Sequence, residues 1–296
     1  MAANNLRIIY QNIADTATLT ASSTAGTTSV NNLKKDSKAS IWRSSTSSTS
    51  SVKVNLVATF TSSIIGGVIL PFCNLTSAAT IRVRGYTGTA PTLGGTVDVP
   101  TITAVGTLIF DTGNVLACPY QPLGLWAWGS IPLGVNSYAY GGGTYGRVWF
   151  PPLACTSIVI EIIDTNTAQY IEGARLVIGS YWSPKFNTSY GLSTSMKDTS
   201  THERSESGNL VTNRGISYNT LNFDLTWLTP ADRLEFTRIV KGNGLPKPLL
   251  ISLFPDNSTD YVKEQVHQIY GKLSQLGSVS HPMYEMYSTQ IEIEEI

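Results

Sequence analysis

Hydrophobic positions in this chain come in short bursts. Val68-Ile69-Leu70-Pro71-Phe72-Cys73-Asn74-Leu75 is a nearly unbroken apolar run closed by proline and asparagine, the pattern of a buried strand. Ala79-Thr80-Ile81-Arg82-Val83-Arg84-Gly85-Tyr86 alternates apolar and basic residues, as a strand with one wet face does. Residues 6–10, 52–56, 108–110, 147–150, 157–163 and 175–179 read as further strands. Gly66-Gly67 reads as a break between two of them, and Pro151-Pro152 as a stop. Residues 44–51, almost wholly serine and threonine, read as a hairpin loop after Trp42-Arg43. Short strands at this spacing, with no helical period before about residue 185, predict an all-β sandwich or jelly roll.

The pattern then changes. Residues 186–215 are rich in Ser, Thr and Asn and carry the charges Lys197, Asp198, Glu203, Arg204 and Glu206. They predict a polar connecting arm. Beyond it, Leu221, Phe223, Leu225 and Trp227 alternate with Thr220, Asn222, Asp224 and Thr226, giving one buried strand face. Thr229-Pro230-Ala231-Asp232 is a helix start, with a threonine cap, proline at the first position and an acid in the first turn. That helix is predicted to run to about Lys241 and end at Gly242. Residues 249–254 read as a buried strand, and 265–273 with 284–293 as a closing antiparallel pair. The predicted organisation is mainly β: a jelly-roll β-sandwich over 1–185, the arm over 186–215, and a smaller β-sandwich with one flanking helix over 216–296.

Composition narrows the class. Hydrophobic residues make up 42% of the 296 and charged ones 14%, below the roughly 25% charged of an ordinary soluble domain. Few charges, with 25 glycines and 14 tyrosines, suit a chain that hides surface in an assembly. A net charge of zero argues against a nucleic-acid binder, which needs a basic patch, and against a polybasic membrane contact. The apolar runs are too short to span a bilayer. Cys73, Cys118 and Cys155 stand far apart without CxxC spacing, so they read as buried small apolar residues of a chain folded in a reducing cytosol. Met1-Ala2-Ala3-Asn4-Asn5 lacks the basic and apolar regions of a secretory leader.

Candidate chemistry is sparse. His202, His267 and His281 fall in three unrelated contexts. Asp111, Glu161, Asp164 and Glu172 are the carboxylates a glycoside hydrolase could pair across a groove. Against that, Glu161 interrupts a buried strand and suits an ion pair with Arg82, Arg84 or Arg175, while Asp111-Thr112-Gly113 and Asp164-Thr165-Asn166 read as turns. Gly141-Gly142-Gly143 lacks the lysine and helix of a phosphate loop. No catalytic, cofactor or metal residue is assigned. The glycine- and proline-rich stretch from Cys118 to Tyr145 holds the best ligand candidates: Trp126, Trp128, Tyr138, Tyr140 and Tyr145. Such rings can bury area against another subunit, stack on sugar rings, or close the end of their own sandwich.

The order of these signals resembles a known family. Asn32-Leu33 with Trp42-Arg43, the Leu70-Pro71-Phe72-Cys73-Asn74-Leu75 strand end, Ile81-Arg82-Val83-Arg84-Gly85-Tyr86 and Gly173-Ala174-Arg175-Leu176-Val177-Ile178-Gly179 resemble the galactose-binding-like (discoidin-type) jelly roll. The continuation through Tyr181-Trp182-Ser183-Pro184 to Leu228-Thr229-Pro230-Ala231-Asp232-Arg233 and Pro248-Leu249-Leu250-Ile251-Ser252-Leu253-Phe254-Pro255 is similar to tail and baseplate proteins of long-tailed bacteriophages, in the manner of distal tail proteins. The resemblance implies a non-enzymatic virion component, made in the host cytoplasm, that forms a ring of its own copies and links the tail tube to tip or fibre proteins. It implies a tail-tube-like second domain. The alternative within the same resemblance is a carbohydrate-binding receptor module on a tail fibre or baseplate, with a host surface glycan as partner.

Overall fold

The computed structural model describes residues 5–118, 144–256 and 261–296. The protein is mainly β, built from antiparallel sheets. The larger sheet has nine strands among the described residues and is organised on two very long ones, Ser51–Cys73 and Thr144–Thr165. These pair antiparallel along almost their whole length, from Thr165 opposite Ser51 to Thr144 opposite Cys73, with register shifts between Trp149 and Leu153 and between Cys155 and Ser157. Each long strand therefore serves two regions of the sandwich. The Thr80–Thr87 strand pairs with residues 157–163 at one end, and Val177–Gly179 pairs with residues 67–69 at the other.

The two long strands correct three sequence expectations. Gly66-Gly67 does not break the chain, because both glycines lie inside Ser51–Cys73. A Cβ on Gly66 would sit 2.8 Å from the Tyr181 ring, and one on Gly67 2.7 Å from the Trp149 ring. The glycines let two aromatic rings lie on the backbone. Pro151-Pro152 does not stop its strand either. It occupies the irregular register between Trp149 and Leu153, where a residue without an N–H is tolerated. Residues 44–50 form a loop, yet Trp42–Arg43 pairs with Glu172–Gly173 and not with the strand that follows, so there is no hairpin. Ser47 and Ser48 in that loop hold the Asp98 carboxylate through their hydroxyls at 2.7 and 2.8 Å.

The alternation over Thr80–Thr87 is realised as read: Ile81 and Val83 are buried while Arg82 and Arg84 reach the wet face. The jelly-roll core gathers Leu33, Trp42, Val54, Leu56, Ile65, Leu70, Ile81, Val83, Ile160 and Ile162 between the layers.

The second sheet has seven strands among the described residues, in the order Arg7–Ile9, Leu249–Ser252, Gln268–Leu273, Met286–Glu295, Ser217–Leu228, Ser193–Asp198, with Val279–Met283 beside Met286–Glu295. The first strand of the chain thus completes a sheet made of the last third, with Ile8 opposite Ile251. The helix Pro230–Asn243 carries the expected cap: Thr229 accepts from the Asp232 N–H and Asp232 accepts from the Thr229 N–H. It runs two residues past Lys241, to a cap at Gly244 with φ 58°. Two finer expectations fail. Leu221, Phe223 and Leu225 are buried as read, but the register slips between Leu225 and Leu228, so Trp227 faces out at 46% exposure and Leu228 takes its place inside. Gln265 and Val266 end a short helix, Tyr261–Val266, and the strand begins only at Gln268.

A further apolar cluster joins the two sheets. It brings Ile9, Leu250 and Tyr270 against Ile69, Phe72, Tyr145 and Val177. Buried charge crosses the same junction. Arg147 Nε and Nη2 donate to Glu264 Oε1 and Oε2 at 2.9 and 2.6 Å. Arg175, 2% exposed, pairs with Asp15 at 2.8 Å and Asp36 at 3.1 Å and donates to the Tyr270 hydroxyl at 2.7 Å.

Candidate functional site

The ligand candidates of the sequence lie on the aromatic stretch. Trp126, Trp128, Tyr138 and Tyr140 lie outside the described residues. Tyr145 is described, and it is not an exposed ring: 7% of it is accessible. It packs against Phe72 with ring centroids 5.6 Å apart. Its hydroxyl donates to Glu295 Oε1 at 3.2 Å and accepts from the Tyr270 N–H at 3.0 Å. Burial first, and the neighbouring Glu295 charge second, push this phenol well above its ordinary range, so it stays a donor. Tyr145 is packed in an apolar cluster of its own chain.

The same tyrosine stands at the wall of a cavity of about 310 Å³. The cavity arises where the Met286–Glu295 strand ends between its two neighbours. Gln268 and Ile269 line one side, Asn219 and Thr220 the other, with Glu295 at the end of the strand between. Met196 from the edge strand and Gln265 from the short helix complete the walls.

The charge at this site is settled internally. Glu295, with 4% of its side chain exposed, pairs with Lys38 at 3.2 Å. It also accepts from the Asn219 N–H and Nδ2, both at 3.2 Å. The amides are not settled. Gln265 Nε2 makes one long contact to the Tyr145 carbonyl at 3.5 Å, while Gln265 Oε1 and both polar atoms of Gln268 are buried without a hydrogen-bond partner among the described residues. Gln265 is 6% and Gln268 5% exposed. The sequence reading singled out neither glutamine, and only the convergence of two distant strands marks them.

Next to the cavity the chain projects. The range 186–215, read from the sequence as a polar arm, contains three strands. Ser193–Asp198 forms the free edge of the second sheet, all six residues exposed. It leads into a two-stranded ribbon, Thr201–Arg204 with Leu210–Asn213, again exposed throughout. Its charges are tied partly to the acidic end of the chain, where Lys197 bonds Glu294 and lies 3.7 Å from Glu292.

The carboxylates weighed for hydrolysis are engaged elsewhere. Asp111 pairs with Arg82 at 2.5 Å, Glu161 with Arg84 at 2.9 Å, and Glu172 with Arg43 at 3.0 Å. Asp164 is buried and accepts from the Thr76 N–H and hydroxyl at 3.0 and 2.5 Å. Glu161 therefore takes the ion pair expected from its place in the strand. His202 contacts Thr212, His281 stacks on Tyr287, and His267 meets the Lys263 carbonyl. Among the described residues no three His, Cys, Asp or Glu side chains are grouped to hold a metal.

No known protein family and no curated protein matches the chain. Solved structures do resemble it in part. They include chitosan-binding module 1 from a chitosanase/glucanase of Paenibacillus sp. IK-5, at 13% identity and TM-score 0.37, covering 57% of this chain and 99% of that one. CBM32-3 from a family 31 glycoside hydrolase of Clostridium perfringens aligns at 10% identity and TM-score 0.37, over 57% and 94%. The family 32 carbohydrate-binding module of C. perfringens NanJ, in complex with galactose, aligns at 12% identity and TM-score 0.32, over 58% and 98%. The likeness concerns little more than half of this chain and is one of strand arrangement, so no ligand is carried over from it.

Proposed function

We propose that the chain is a non-catalytic assembly protein whose arm joins it to further copies of itself, as a structural component of a bacteriophage tail or baseplate. The arm carries the reading. A two-stranded ribbon without a core is marginal by itself in water, and an unpaired edge is a template for another strand. Here both occur in one projection. Met196, Leu210, Val211 and Ile216 on it are each more than half exposed, apolar surface that a neighbouring chain would cover. The low charge content agrees, and a repeated contact of this kind closes into a ring when its rotation permits. The tail setting rests on the sequence resemblance alone.

The test is the solution mass of the full chain, compared with a variant in which residues 201–213 are replaced by a short Gly-Ser turn. A closed oligomer is expected for the native chain, and a monomer of unchanged melting temperature for the variant. An oligomer that survives the replacement, or a native chain that stays monomeric at its solubility limit, would refute the reading.

A second reading, a carbohydrate-binding module, is favoured by one specific observation: two residues that line the cavity beside the arm, Gln265 and Gln268, carry buried amide atoms with no hydrogen-bond partner among the described residues. Its test is direct titration of the full chain with saccharides.

A further inference from the structure

From the wall of the 310 Å³ cavity we infer that it is a binding site for a single neutral sugar unit, held by the carboxamides of Gln265 and Gln268. This rests on the second reading above and gives that reading a location. The argument starts from hydrogen-bond satisfaction. Buried polar side chains nearly always have partners, and each exception calls for an explanation. Three carboxamide atoms without a partner among the described residues, Gln265 Oε1, Gln268 Oε1 and Gln268 Nε2, on two residues that line one cavity, are a concentrated exception. Each such atom destabilises the free protein, whereas an apolar residue of the same shape would not. A chain that only needed to fill this corner is better served by methionine or leucine.

The ligand's chemistry follows from what the wall offers. Carboxamides present both donors and acceptors, the complement of hydroxyl groups, which are also both. Ser195 and Thr220, whose hydroxyls lie 2.6 Å apart, add two more such groups. Charge gives no attraction: Glu295 is neutralised by Lys38 and already accepts from Asn219 and Tyr145, and no other charged residue lines the cavity among those described. An anion or cation would arrive without a counter-charge. Met196, Val266 and Ile269 give apolar surface for the C–H faces of a ring. The volume is at the low end of ligand pockets, which span about 300–1,000 Å³, so one six-membered ring is the size expected and a chain of them is not. The amide atoms are shut off from water in the free protein, so engagement includes a rotation of the two glutamine side chains toward the ring.

The experiment uses the full chain, its Gln268→Met and Gln265→Met variants, and the Leu210→Ser variant as a control on the arm. Neutral monosaccharides, including hexoses and their N-acetylamino forms, are titrated by calorimetry and by ligand-observed NMR. Melting temperature is recorded in parallel. The expected result is saturable binding to the native chain and to Leu210→Ser, with affinity falling at least tenfold in each Gln→Met variant while its melting temperature holds or rises. That opposite movement is what a purely structural glutamine would not give. If the native chain binds a sugar and the Gln→Met variants bind it equally well, the cavity assignment is overturned and the carbohydrate-binding reading stands. If the native chain binds none of the sugars at their solubility limit, both are overturned.

Discussion

Replacing Glu264 with alanine should loosen the junction between the two sheets more than any other single substitution considered. The Glu264 side chain is fully buried and Arg147 is 8% exposed on its side chain. The guanidinium grips the carboxylate through two nitrogens, at 2.9 and 2.6 Å, and spends Nη1 on the carbonyls of Leu116 and Ala117 at 2.7 and 3.3 Å. Glu264 also receives the Asp256 N–H at 3.1 Å. Removing the acid leaves a positive charge inside the protein with only carbonyl partners. Breaking a buried pair from one side destabilises by about 3–5 kcal/mol, because the remaining charge stays desolvated. For a chain of this size that corresponds to a fall in melting temperature of roughly 6–10 °C. The double variant Arg147→Met with Glu264→Met should recover most of the loss, since an apolar pair of similar volume is often as stable as the ions it replaces. Chemical denaturation of the native chain, both single variants and the double variant closes the thermodynamic cycle. A Glu264→Ala loss under about 1 kcal/mol, or a double variant as unstable as the sum of the singles, would refute the account of the junction.

Two further outcomes follow from titrating groups. Asp111 is drawn down to about 2, first by its hydrogen bond from Arg82 and also by the Gly113 N–H. A carboxyl depressed on folding gives stability that is present above its unfolded value near 4 and fades as pH falls toward 2. Native protein should therefore lose stability over that window more steeply than Asp111→Asn, by under about 1 kcal/mol for so exposed a pair; parallel curves in acid unfolding would contradict this. Burial pushes the Cys155 thiol up to about 11, and the residue is fully inaccessible. Its alkylation by iodoacetamide at neutral pH should follow global unfolding, and reaction at the rate of an exposed thiol would contradict the placement.

What the sequence revealed and what it hid divide along the range of the contacts. The Thr80–Thr87 strand and the start of the Pro230–Asn243 helix were legible because their signals are local: alternation in the one, a Thr229–Asp232 capping box in the other. Gly66-Gly67 misled because glycine is read as a turn residue, while here it makes room for Tyr181 and Trp149, rings that reach it from 80 or more residues away. Trp227 misled because a register slip reverses the inside and outside of a strand in one step. Nothing in the run 6–10 tells that this strand belongs with residues 249–252. Pairing partners so far apart leave no periodic trace.

The polar residues make the same point about function. In a chain with few charges, Arg147 and Arg175 are buried, and each meets acids from a distant part of the sequence. Their environment explains them: the first ties the Thr144–Thr165 strand to the short helix before Gln268, and the second ties Asp15 and Asp36 to Tyr270. Tyr145 belongs to this group, its hydroxyl answered on both sides. Against that background Gln265 and Gln268 differ in kind. Every buried charge at the junction has found partners within the fold, yet two uncharged amides, which apolar residues could replace at little cost, have not. Unpartnered buried atoms also occur one to a residue on Trp42, Arg84, Trp149, Ser157, Asn166, Ser252 and Thr289, but among the described residues Gln265 and Gln268 gather three of them around one cavity, and that is where a partner from outside the chain is to be sought. The cavity, more than the engaged carboxylates, is therefore the place to look for binding.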